Sequence, residues 1–410
     1  MESNPVVQVV ITASAYGGMS VARFNGKAVF VPFTLPGEVA KIRIIDDRKN
    51  FSIAELVEIV KPSEKRIQPP CPVYARCGGC HYQHLDYPSQ LEAKESIFRD
   101  QLTRIGKQVD PNILPILPAS SNTHYRNHVQ FHVNELGKLC FVAMAVQEPL
   151  VEIEKCLIAD EGFNSFIGEL SFEQGSSLDR VSLRKGRSDL MLLLESEDLE
   201  LPDISIEADV SVVHITEDDP VVISGNDHIY IDVLEKSFKV SATSFFQVNT
   251  EMAAVMVQEV LNTAVFDANS VVMDLYCGVG LFTAFLADRV KKVIAIESSP
   301  TACTDLEYNL SESDNVELYE GEAEDILPHL KEHVDLILVD PPRAGLDKKV
   351  TEAMLRLSPK TILYVSCDPT TLARDVQRFA AGGYKLVQAT PIDMFPQTYH
   401  IESISIFAKG

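Results

Sequence analysis

No apolar run in the 410-residue sequence approaches the roughly 18 consecutive residues that carry a helix across a bilayer, so no membrane is expected as a partner. Low-complexity tracts and internal repeats are missing too, which sets aside disordered arrays and solenoids. The first ten residues carry Glu2 and lack the basic-then-apolar order of an export signal. A cytoplasmic location is the expectation, where eight cysteines read as metal ligands or nucleophiles before disulfides. Positive charge is scarce, 36 Lys and Arg against 59 Asp and Glu, and a net −23 speaks against wrapping a phosphate backbone. The deficit is uneven. Residues 1–110 hold 14 basic and 12 acidic side chains, a net of +2, which leaves 22 against 47, or −25, for residues 111–410.

What is present is an ordinary globular composition, 46% hydrophobic and 23% charged, in a chain long enough for two or three cores. Residues 1–61 alternate in period two, with turns at Gly17-Gly18, Asn25-Gly26 and Pro36-Gly37, and predict a small β-barrel. "RFNGKAVFVP" is its clearest hairpin. Arg23, Lys27, Phe30, Lys41 and Arg43 can serve single-stranded RNA by charge and stacking, or be solvated side chains of a structural barrel. Residues 62–235 are mixed, with a helix predicted from Ser89 to Arg104. From Lys236 to Gly410, strands and helices alternate as in a doubly wound parallel sheet. Its strands are "VVMDLY", "KVIAIE", "VELYE", "VDLILVD" and "TILYVS", and "ESISIFAKG" is expected to add an antiparallel edge strand.

Chemistry-bearing residues gather at the ends of those strands, the rim where open α/β sheets bind ligands. "MDLYCGVGLF" sets Asp274, Gly278 and Gly280 at the first strand-to-helix turn, and Glu297 ends the next strand, where it can take two ribose hydroxyls. The third glycine of the dinucleotide fingerprint is missing, so an adenosine ligand without pyrophosphate, such as S-adenosylmethionine, fits better than NAD. In "DPPRAGL" two prolines stiffen the loop after Asp340, and Arg343 offers a fork to a phosphate or base edge. "LYVSCDPTTLARD" ends a strand with Cys367 and opens a helix whose cap, Thr370 or Thr371, would let the helix end favour a thiolate. Read alone, Cys367 is first a small buried apolar residue, which is what a free cysteine usually is. "FPQTYHIES" places Glu402 at the start of the last strand, suited to accept a proton. Gln247 and Asn249 in "SFFQVN" read as amide-pairing or capping residues.

A second cluster precedes all of these. Cys71, Cys77 and Cys80 in "CPVYARCGGC" are spaced C-x5-C-x2-C, and Cys156 is the natural fourth thiolate, for either a [4Fe–4S] cluster or tetrahedral zinc. His81 and His84 are rival ligands; Cys140, Cys277 and Cys303 read as packing residues.

With these stretches assembled, the whole chain resembles the RNA uracil-5 methyltransferase family, in its cluster-containing branch similar to the 23S rRNA enzymes. "FFQVN", "DLYCGVGLF", "DPPRAGL", "VSCDPTTLARD" and "FPQTYHIES" match the family's motifs in order. The resemblance implies a TRAM barrel over 1–61, a central α+β iron–sulfur and RNA-contacting domain over 62–235, and a Rossmann-like S-adenosylmethionine-dependent catalytic domain over 236–410. It implies Cys367 as the nucleophile that adds to C6 of uracil, activating C5, and Glu402 as the base that removes the C5 proton. Gln247, Tyr276, Gly278, Gly280, Glu297, Glu322 and Asp340 fall on its cofactor positions, with Glu324 the rival of Glu322. Leu281 departs from relatives that carry Asn there. Cys71, Cys77, Cys80 and Cys156 fall on its cluster ligands. The substrate implied is a single-stranded or loop uridine, in rRNA before tRNA, with no obligate protein partner. Two alternatives stay open: a base nitrogen as acceptor, better suited by "DPPY" or "NPPY" than by "DPPR", and a non-catalytic RNA-binding role.

Overall fold

In the computed structural model, residues 5–144, 149–198, 209–217 and 219–410 are described. Strands β1 (Val6–Ala15), β2 (Met19–Phe24), β3 (Lys27–Pro32), β4 (Val39–Asp47) and β5 (Phe51–Lys61) close into a barrel in the order β1-β2-β3-β5-β4. Alternation turns Val9, Ile11, Ala22, Val29, Val31 and Ile42 inward. Asn25 and Gly26 both have positive φ, +50° and +79°, as the expected tight hairpin turn requires.

Helix α1 (Tyr87–Arg104) starts two residues before the predicted Ser89, because Asp86 caps it by accepting from Ser89 N at 2.8 Å and Pro88 fits the first turn. Next comes a seven-stranded sheet, order β12-β11-β10-β9-β6-β7-β8, whose strands are β6 (His128–Val133), β7 (Leu139–Val142), β8 (Leu150–Glu152), β9 (Leu178–Lys185), β10 (Leu190–Ser196), β11 (Ser211–Ile215) and β12 (Val221–Ser224). Helix α2 (Glu161–Glu169) covers it with Phe163 and Ile167. A hairpin, β13 (His228–Val233) and β14 (Lys236–Ser241), leads to α3 (Thr250–Thr263).

The last sheet is built from β15 (Val271–Leu275), β16 (Lys292–Glu297), β17 (Val316–Glu320), β18 (Leu336–Val339), β19 (Thr361–Ser366), β20 (Tyr384–Ile392) and β21 (Glu402–Lys409), in the order β17-β16-β15-β18-β19-β21-β20. Between them lie α4 (Leu281–Ala287), α5 (Pro300–Asn309), α6 (Ala323–Ile326), α7 (Lys348–Leu357) and α8 (Pro369–Ala381). Alternate strand residues feed two cores. Val272, Leu336, Leu338 and Leu363 meet α3, α4 and α5, while Met273, Leu275, Ile337 and Tyr364 meet α1, α7 and α8. One expectation is corrected: the C-terminal strand is antiparallel but not the edge. β21 lies between β19 and β20, and β20 takes the edge. Half of β20 is solvated and it contains Pro391, which edge pairing tolerates and which masked it in the sequence.

Candidate active site

The strand order delivers the predicted residues to one rim. β19 and β21 pair antiparallel with Ser366 opposite Ser403, so one further step sets Cys367 opposite Glu402. Asp340 follows β18 directly, its N–H bonded to Leu275 O at 3.3 Å. Glu297 ends β16, and Tyr276 follows β15.

Charge in this rim is almost all of one sign. Glu402 is 5% exposed, and burial, with Asp340 beside it, pushes its carboxyl up to about 8 while Arg343 opposes. Asp340 keeps a solvent-reached edge, yet the protein around it and the neighbouring Asp274 push it up to about 7. Asp274 is buried, accepts from Thr283 Oγ1 at 2.6 Å, leaves Oδ1 without a partner, and is likewise pushed up to about 7 by burial. The site is thus short of a cation.

Cys367 does not gain from the helix behind it. The cap of α8 is Asp368, neither Thr370 nor Thr371, and its Oδ1 takes the Thr370 and Thr371 amides at 2.7 and 3.0 Å. An ionised cap supplies its own negative charge there, and Pro369 at the first helical position brings no N–H. Burial, then Glu402 and Asp340, push the Cys367 thiol up to about 12, while Arg343 opposes. At rest it is a protonated thiol.

The glycine turn is open for a ligand. Gly278 has φ +55° and nothing within 4 Å of where a Cβ would stand. Tyr276 holds φ +62°, an uncommon conformation for an aromatic residue and one that marks a functional turn. Glu297 accepts from Gly278 N at 2.9 Å and from Ser298 N and Ser299 N at 2.8 Å, which fixes its carboxylate at the strand end. Of the two rival glutamates, Glu322 is exposed, whereas Glu324 turns a carboxylate oxygen inward without a partner and acts more strongly than Glu322 on Tyr276. Gln247 is half-buried between β14 and α3 and its carbonyl accepts from Asn127 Nδ2 at 3.1 Å; no contact joins it to Glu297 or Asp340. Its neighbour Asn249 caps α3 and also donates to Met394 O at 3.0 Å.

Residues the sequence reading passed over hold these loops. Asp375, at the end of "LARD", accepts from Leu346 N and Tyr364 Oη at 3.0 Å and pairs with Arg374 and Arg378, tying the Asp340 loop to α8. Lys94 of α1 and Asp393 form a wholly buried pair at 2.5 Å, and Lys94 also donates to Phe395 O at 2.9 Å. Tyr16, from the barrel, donates to Asp368 Oδ2 at 2.9 Å. Nothing in local sequence pattern announces such distant pairs. The barrel cations are less available than their sequence suggests, since Lys27 pairs with Asp47, Lys41 with Glu58 and Arg43 with Glu55, and Phe30 packs on Phe51.

The four cysteines expected to bind metal line one cavity of about 260 Å³ together with Arg126, Tyr74 and Gln83. Among the described residues no three His, Cys, Asp or Glu side chains converge closely enough to hold a single ion. Burial pushes Cys80 up to about 12 and Cys77 up to about 11. His81 and His84 do not line the cavity; His84 Nδ1 bonds Tyr74 Oη at 2.5 Å. Cys140, Cys277 and Cys303 are buried packing residues, as expected. No helix among the described residues is long and apolar enough to cross a membrane.

The comparisons agree with this architecture. The model of the tRNA (uracil-5-)-methyltransferase family matches residues 207–409, and that of the TRAM domain matches residues 3–57. An RNA methyltransferase of Bacillus cereus, itself uncharacterized, is 34% identical, with 100% of this chain and 98% of that protein covered. Another, from Aquifex aeolicus, is 34% identical with 99% of each covered. The fold is that of the Pyrococcus abyssi tRNA (uracil-54, C5)-methyltransferase solved with S-adenosyl-L-homocysteine, at a TM-score of 0.76, 24% identity and coverage of 98% of this chain and 100% of that one. Motifs, rim and relatives converge: the chain belongs to the RNA uracil-5 methyltransferase family, enzymes that use S-adenosylmethionine.

Proposed function

We propose that the protein methylates C5 of a uridine in 23S rRNA through a covalent bond between Cys367 and C6 of the base. The observation that carries the mechanism is the juxtaposition of Cys367 and Glu402 at adjacent strand ends, across the rim from the open glycine turn. C5 of uracil is a weak nucleophile. The Cys367 thiol loses its proton to solvent, and addition of the resulting thiolate to C6 makes an enolate whose C5 can attack. S-adenosylmethionine supplies the methyl group. Glu402, once ionised, takes the C5 proton, and elimination returns the thiol. Arg343, the cation beside Cys367 and Glu402, favours the anionic form of both.

The cofactor pocket takes Gln247, Tyr276, Gly278, Gly280, Glu297, Asp340 and Glu322, with Glu324 the better placed of the two glutamates. A cationic sulfonium fits this set, because Asp274 and Asp340 are carboxyls starved of positive charge and Asp274 Oδ1 has no partner. We divide the chain into 1–61, 62–235 and 236–410, the last two meeting at the turn of the β13–β14 hairpin.

Cys71, Cys77, Cys80 and Cys156 suit a [4Fe–4S] cluster. They line one cavity, and four thiolates match the ligand set of such a cluster. Its role would be structural. The chain just beyond Cys80 binds the loop that precedes Glu402, His81 N and Tyr82 N donating to Gln397 O at 2.8 and 2.9 Å.

A tRNA target is the second reading, favoured by the matched family model. Unmodified rRNA and tRNA, each incubated with anaerobically purified protein and S-adenosylmethionine, then digested for nucleoside mass spectrometry, separate the two. New 5-methyluridine in rRNA alone supports the proposal. Its appearance in tRNA alone moves the target, and its absence from both, with the cofactor bound, overturns the proposal.

A further inference from the structure

The turn Tyr16-Gly17-Gly18 between β1 and β2 leaves the barrel and enters the catalytic rim. Gly18 has φ +78° and fits against His81, where a Cβ would stand 2.7 Å from the ring. Tyr16 lies edge-on to Tyr399 at 5.5 Å between centroids, and Tyr399 in turn packs on His81 at 4.6 Å and His400 at 4.3 Å. The Tyr16 hydroxyl donates to Asp368 Oδ2, while Asp368 Oδ1 is spent on two amides of α8. Asp368 is the residue after Cys367.

We propose that Tyr16 is a positioning residue for the nucleophile, its hydroxyl satisfying Asp368 Oδ2 by a hydrogen bond so that the seating of the barrel sets the reactivity of Cys367. This rests on the reading of Cys367 as nucleophile. The groups facing that thiol are Glu402 from β21, Asp340 and Arg343 from the loop after β18, Asp368 on its own helix, Tyr364 in β19 and Tyr16 from the barrel. Those facing Asp368 include Tyr16 and Arg374 of α8. The negative charges outnumber the positive ones, so the thiolate depends on how well each carboxylate is satisfied. Burial and Asp368 both push the Tyr16 phenol upward, so it keeps its proton and stays a donor. Without it, Asp368 Oδ2 bears its charge uncompensated beside a sulfur that must become an anion.

The test is iodoacetamide alkylation of Cys367 in the full-length, anaerobically purified protein without RNA, followed by quantifying its tryptic peptide from pH 7 to 10. Below the thiol pKa the rate follows the thiolate fraction, so a raised pKa lowers the whole line. Tyr16→Phe keeps the ring packing and removes only the donor. We expect it to slow alkylation roughly three- to tenfold at every pH, the scale of one lost hydrogen bond to a charged group. kcat should fall in proportion, with KM for S-adenosylmethionine unchanged. Asp368→Asn keeps a capping side chain without the charge, and in that background Tyr16→Phe should have no effect. Alkylation of Tyr16→Phe at the wild-type rate, or an equal slowing in the Asp368→Asn background, overturns the inference. Cys367→Ala tests the underlying reading separately: methyl transfer by that variant removes the reading, whatever the alkylation shows.

Discussion

Replacing Glu402 by Gln removes the base and, with it, the least comfortable charge in the rim. Moving a carboxyl from 4.5 to about 8 disfavours its ionised form by about 5 kcal/mol, at 1.36 kcal/mol per pH unit. In the wild type this group is protonated in the folded state and ionised in the unfolded chain between those two values. The folded state therefore binds more protons there, and stability falls as pH rises from about 4.5 to about 8. Above pH 8 the penalty is complete. Glu402→Gln carries no such charge, so its advantage over wild type should grow by about 4 kcal/mol between pH 5 and pH 9, from the same shift. Thermal melts at both pH values measure it. Catalysis should move the other way: loss of a general base lowers turnover by roughly 10²- to 10⁴-fold, and RNA-linked protein accumulates because the C5 proton is not removed. A variant no more stable than wild type at pH 9, or one with unimpaired turnover, refutes this assignment of Glu402.

Further outcomes follow from the same groups. Lys94→Ala leaves Asp393 buried and unpaired and should destabilise the protein by about 3–5 kcal/mol, read as a lower melting temperature; an unchanged melt contradicts the placement of that pair. Binding of the cationic S-adenosylmethionine near Asp274 and Asp340, both close to 7, should release protons at pH 7, and S-adenosylhomocysteine, with a neutral sulfur, should release fewer. Calorimetry in buffers of different ionisation enthalpy detects the difference, and equal release by both ligands speaks against a carboxylate-lined sulfonium site. If the proposed [4Fe–4S] cluster is bound by the four cysteines, Cys77→Ala should lose visible absorbance together with thermal stability and RNA affinity; unchanged absorbance, fold and affinity contradict that proposal.

Much of the rim was legible from the chain because parallel α/β sheets send strand ends to one edge. Asp274, Glu297, Asp340 and Cys367 each terminate or nearly terminate an apolar run, and period alone places them. Asn249 was legible as a cap for the same local reason. The inner position of β21 was not, since pairing order depends on β20, whose lysine, glutamine and proline hide its strand character. Nor was the state of Cys367 legible. Sequence offers two threonines as caps, but Asp368 outcompetes them, and a carboxylate at the helix end reverses the expected effect on the thiol. The contacts of Tyr16 with Asp368, and of Lys94 with Asp393, join residues 352 and 299 positions apart, a separation that local patterning does not reach.

The central claim is that the Cys367 sulfur bonds to the target uracil. An RNA substrate made with 5-fluorouridine tests it directly, because fluorine at C5 cannot leave as a proton does, so addition and methyl transfer should proceed and elimination stop. After incubation with S-adenosylmethionine and nuclease digestion, the tryptic peptide Thr361–Arg374 should carry one methylated fluorouridine nucleotide on Cys367, and Cys367→Ala should carry none. An adduct on another residue, or none from a protein that still methylates ordinary RNA, contradicts the account.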